Sequence, residues 1–92
     1  MGIIWSNHAK LRLVERDLRK AEVVVILSNP VEQIKDKEKE NVFKCYGILQ
    51  KEVKEPKHLI IVYYQNMPNG NIKIITLIRT SKSGVKAYGF NI

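Results

Sequence analysis

The sequence predicts a single α+β domain: an N-terminal strand and two helices packed on a mainly antiparallel sheet of about four strands. Three observations carry this reading. Helix signals are confined to residues 6–28. Beyond Pro30 the chain turns into short apolar runs separated by turn-forming residues. At 92 residues it has room for one core rather than two. With 45% hydrophobic and 27% charged residues the composition is that of a folded chain, not a disordered one.

The opening GIIW reads as the first strand. Ser6 or Asn7 then caps a helix, because either side chain accepts from the free amides of a first turn. That helix is predicted to run to about Arg16. Asp17 is the expected cap of a second helix, LRKAEVVVILS, which stops before Asn29-Pro30 because proline pushes its predecessor out of the helical region. The run VVVIL could be a strand by propensity, but the helix formers Leu18 to Glu22 and the Asp17 cap favour helix. A helix apolar nearly all round is expected to be deeply buried.

VEQIKD is the first candidate strand of the sheet, followed by the charged turn KEKEN. VFKCYGILQ is the second, with Gly47 as a possible bulge. KEVKEPK reads as an exposed loop and HLIIVYYQ as the third strand. NMPNG is a turn, since proline fixes φ and Asn-Gly tolerates positive φ. NIKIITLIRTS is the last long strand. Both long runs are apolar on two faces, which suits the middle of a covered sheet. The tail GVKAYGFNI alternates and is expected to add one more short strand.

The net charge of +7 is unevenly spread. Residues 1–20 carry five basic and two acidic side chains, and residues 21–55 carry six Lys against seven Asp/Glu. From residue 56 there are five Lys/Arg and no carboxylate. A fold that joins the first helix to the last strands would present a basic surface suited to phosphate backbones or an acidic protein; a generic solubilising surface is the plainer reading. One cysteine excludes an internal disulfide and fits a reducing compartment. The opening has no signal-peptide pattern and no run is long enough to span a bilayer, so a cytoplasmic location is expected. No metal site is expected from two His and one Cys far apart.

The stretch SNHAKLRLVERD holds the densest chemistry. At about 100° per residue, Arg12, Glu15 and Arg16 fall within about 80° of His8. Leu11 and Val14 lie on one flank of this stripe, Ala9 and Leu13 on the other. Polar groups between two apolar arcs are expected to be partly buried and to need partners. One outcome is an internal network in which Glu15 pairs with Arg12 or Arg16. The other is a site where His8 moves a proton and the arginines hold a phosphate.

His8, Ala9, Arg12, Glu15, Arg16 and Leu18, with the Asn29-Pro30 ending of the second helix, resemble the signature of a small prokaryotic family of domains of unknown function. That family is similar to the BrnT and RelE/ParE toxins of type II toxin–antitoxin systems. The resemblance implies a RelE-like fold and a metal-independent endoribonuclease, without cofactor, that acts on RNA and is neutralised by an acidic antitoxin. Such cleavage needs a base for the 2′-hydroxyl, cations for the phosphorane and an acid for the leaving oxygen. His8 would move the proton, being the side chain that titrates nearest neutrality. Arg12, Arg16 and Arg79 would clamp phosphate. Tyr88 would serve as acid or stacking platform, and Glu15, Lys73 and Lys86 complete the substrate-binding set. A non-catalytic RNA- or protein-binding module of the same fold is the competing expectation, with the stripe structural.

The remaining candidates read as structural. His58 opens a strand, Cys45 is a buried inert thiol and Trp5 is a core residue. Tyr63 and Tyr64 point to opposite faces, so one at most can join a given site. Phosphate-loop, HExxH and Gly-x-Ser-x-Gly patterns are missing, which leaves nucleotide hydrolysis, zinc proteolysis and serine esterase chemistry without support.

Overall fold

A computed structural model of the protein describes residues 2–49 and 59–92. Among these residues the strands are β1 (Ile3–Trp5), β2 (Glu32–Lys35), β3 (Val42–Ile48), β4 (Leu59–Asn66) and β5 (Ile72–Thr80). They form one mixed five-stranded sheet in the order β1-β5-β4-β3-β2. β2 to β5 are antiparallel neighbours, and β1 joins β5 in parallel with Ile4 opposite Lys73. The two longest strands are central, as their apolar runs require.

The helix α1 (Asn7–Glu15) starts where the sequence places it. Ser6 Oγ accepts from the Ala9 amide at 3.0 Å and donates to the Ile75 carbonyl at 2.9 Å, so one hydroxyl caps α1 and ties it to β5. The carbonyl is available because Ile75 is an extra residue: Tyr63 faces Thr76 while Tyr64 faces Ile74.

Asp17 does not cap the second helix. It ends the first, in the left-handed region at φ 52°, with the Leu18 amide donating back to Leu13 at 2.8 Å and the Asp17 amide to Val14 at 3.3 Å. α2 (Lys20–Ser28) begins after Arg19, whose amide is taken by the Glu22 carboxylate three residues on. The left-handed stop prevails over the expected cap because it lets Leu18 fold back beside Leu13 in the core.

α1 and α2 cover one face of the sheet, termed the helical face. Ala9, Leu13, Val23 and Ile26 pack there with Cys45, Ile60, Val62, Tyr64, Ile74 and Leu77. α2 is less buried than its composition suggests. Val23 and Ile26 are buried, but Ala21 and Val25 are exposed, because the described residues put nothing outside this single helical layer. Gly47 is not a bulge: it pairs regularly with Ile60, and its missing Cβ makes room for Ile26, whose Cγ1 would lie 2.8 Å away.

The tail is not a strand. Lys82–Ala87 form a short helix, α3, that crosses the opposite face of the sheet. Val85 and Phe90 bury themselves there against Tyr46, Leu59 and Ile61. The alternation of the tail was misleading because Val85 and Phe90, five apart, are the pair that meets the sheet. The expected loop at residues 51–57 and His58 lie outside the described residues.

Candidate functional site

The predicted site residues divide between the two faces of the sheet. His8, Arg12, Glu15 and Arg16 lie on α1, over the helical face. Arg79 shares that face, since it pairs directly with core residue Ile60.

The stripe on α1 is a surface feature, not a buried network. His8, Glu15 and Arg16 are exposed and Arg12 is half-buried. Of the two apolar flanks, Ala9 and Leu13 are buried but Leu11 and Val14 are 54% and 80% exposed. Arg12 pairs with Glu15 at 2.5 Å in an i,i+3 ion pair, an arrangement worth about 0.2–0.5 kcal/mol. The Arg79 guanidinium donates to the Arg16 carbonyl at 3.0 Å, placing a cation at the negative end of α1. His8 and Arg16 are eight residues apart on the helix, which is about 12 Å along its axis. The structure therefore brings Arg16 and Arg79 together at one end of α1 and leaves His8 at the other.

The other predicted residues gather on the opposite face. Lys73 pairs with Gln65 and Ile4, and its neighbours Ile72 and Ile74 take the helical face. Tyr88, 38% exposed, meets Tyr63 edge to face at a centroid distance of 6.3 Å. Lys86 is exposed on α3. On the β1, β5 and β4 portion of this face stand Ile4, Lys73, Thr76, Ile78, Ile61, Tyr63 and Gln65, with no carboxylate among them.

Lys44 is the residue that sequence reasoning missed. Its ammonium donates to the Tyr88 carbonyl and lies 6.0 Å from the Tyr63 ring centroid and 5.6 Å from that of Phe90. The available signal was a lone charge inside the apolar run VFKCYGI. Beside it a groove of about 420 Å³ is lined by Ile34, Lys35, Asp36, Lys37, Tyr63 and Gly89, among others. The Asp36 carboxyl sits below its ordinary pKa, chiefly because the Glu38 amide donates to it, so it is ionised at neutral pH. Burial, with the Tyr88 phenol and the Asp36 carboxylate nearby, pushes the Tyr63 phenol up and keeps it neutral. Cys45 is buried and pushed up to about 12 by desolvation, which removes it as a nucleophile. Among the described residues no group of three or more His, Cys, Asp or Glu is placed to hold a metal ion.

The fold and its surfaces define a small, basic α+β domain whose sheet is covered by two helices on one side and partly open on the other. The chain belongs to the family described as Domain of unknown function (DUF4258), whose model matches residues 5–79. The match runs from the end of β1 through Arg79, so α3, Lys86 and Tyr88 lie beyond it. No curated protein and no solved structure matches the chain. No helix among the described residues is long and apolar enough to cross a membrane.

Proposed function

We propose that this chain is a RelE-like RNA-binding domain acting in the cytoplasm, and that it engages RNA with the open face of its sheet. The observation that carries this reading is the β1–β5–β4 portion of that face, where Lys73, Gln65, Thr76 and Tyr63 stand without a carboxylate and Lys86 and Tyr88 border it. Cations there neutralise phosphates, amide and hydroxyl groups reach sugars and base edges, and aromatic rings offer stacking surface. Fluorescence anisotropy with a labelled RNA oligomer across a salt series tests it. Wild type should bind with a negative salt slope, and Lys73→Ala and Lys86→Ala should each weaken binding and reduce that slope by about 0.7. Salt-independent binding, or variants that match wild type, would overturn it.

A ribonuclease toxin held by an acidic antitoxin is the second reading. It is favoured by the exposure of His8 one helical turn from Arg12, where an imidazole is accessible to a substrate. Expressing wild type beside His8→Ala and Arg12→Ala variants decides it: growth arrest and RNA cleavage confined to wild type support the toxin, and equal harmless expression removes it.

A further inference from the structure

We infer that Tyr63 and Tyr88 form a shelf for an unpaired nucleobase, and that Lys44 is a positioning residue that holds the shelf together. The inference rests on the RNA-binding reading and specifies single-stranded RNA as its ligand.

Tyr88 is the C-terminal cap of α3, a helix of six residues. So short a helix does not hold its own end in water. Its last carbonyls are steadied by the Lys44 ammonium, which bonds the Tyr88 carbonyl and complements the negative end of the helix. The same ammonium lies within cation–π range of Tyr63 and Phe90. Lys44 thus couples a strand, the helix end and the tail beside the Tyr63 and Tyr88 rings, which meet at 71°. Its charge is already engaged by three groups of the protein.

The neighbouring groove is of nucleotide size, since ligand sites mostly span about 300–1,000 Å³. It is not a phosphate pocket: Asp36 and Glu38 share its lining with Lys35, Lys37 and Lys44. A mixed-charge groove with an aromatic wall suits a base, which carries both donors and acceptors and a π-face. Gly89, at φ 92°, lines its tail side, where a Cβ would meet Lys44 Nζ at 3.7 Å. A paired base cannot reach this shelf, because its faces are buried in the helical stack and A-form RNA offers side chains only its minor groove and backbone.

The test compares an eight-nucleotide RNA with the same sequence in duplex form, by anisotropy at several salt concentrations. Wild type should bind the single strand at least tenfold more tightly. Tyr88→Ala should weaken single-strand binding by about tenfold, whereas Tyr88→Phe should retain it. Lys44→Met should weaken it comparably with an unchanged salt slope, while a phosphate contact would lower the slope by about 0.7; Lys44→Arg, which keeps the cation over the rings, should recover most of the affinity. Near-UV circular dichroism checks that each variant is folded, and Tyr88→Leu and Lys44→Gln, which should weaken single-strand binding in the same way, carry the comparison if an alanine or methionine variant is not. Equal duplex binding, a Tyr88→Ala variant that binds like wild type, or a reduced slope for Lys44→Met would overturn the shelf and leave the RNA-binding reading standing. A wild type that binds neither form would overturn that reading and the shelf with it.

Discussion

Gly47 and Cys45 lie two apart on the helical face and show how tightly that side is built. A Cβ at Gly47 would meet Ile26 at 2.8 Å, so Gly47→Ala should destabilise the domain by about 1–3 kcal/mol through overpacking. Urea melts of Gly47→Ala, Ile26→Ala and the double variant check this, and the double should lose less than the sum of the singles. Cys45 carries a pH consequence. Its folded-state pKa is raised from 9.0 to about 12, so the unfolded chain releases the thiol proton first. The stability from keeping the thiol neutral is complete below about 9 and is lost as pH climbs toward 12. Burial raises the Tyr64 and Tyr63 phenols as well, adding to the same alkaline loss. Denaturation measured at pH 8, 9 and 10 should show falling stability, with a shallower fall in Cys45→Ala.

At the level of elements, the Ser6 hydroxyl holds the start of α1 in two ways. Ser6→Ala removes the cap on Ala9 and the tie to Ile75 together. It should cost about 1–2 kcal/mol, which a calorimeter would read as a fall in Tm of several degrees for a domain of this size. The element order was legible in the sequence because the cap, the Asn29-Pro30 stop and the NMPNG turn are local signals that need no knowledge of the fold. The tail was not legible. Val85 and Phe90 report contact with the sheet only after α3 has crossed it, and Gly84 is tolerated within α3 because a Cβ would collide with Thr80. The stripe on α1 was half legible: Ala9 and Leu13 do face the core, but the wheel cannot reveal that no described residue packs outside Leu11 and Val14. Phe90→Ala should therefore cost about 3–5 kcal/mol and raise dye binding by uncovering Tyr46, Leu59 and Ile61, which thermal melts with a hydrophobic probe would register.

For the whole molecule, the division of chemistry between two faces follows from topology. Arg79 and Lys73 are six residues apart in one strand, yet the first serves the helix end and the second the open sheet. An even separation along a regular strand would put both on one side. The extra residue Ile75 breaks that parity. It acts as a frameshift written in the pleat: were Ile75 drawn into regular pairing, the alternation would drive Lys73 into the core and turn Ile72 and Ile74 outward. Deleting Ile75 instead makes Thr76 and Ile74 consecutive partners of Tyr63 and Tyr64 and leaves every face as it is. Deleting Ile75 should thus be far less damaging than deleting the regularly paired Leu77, which would invert one arm of β5, and urea melts of the two deletions check this. What the extra residue contributes is its main chain, an acceptor set aside from the ladder for the start of the helix.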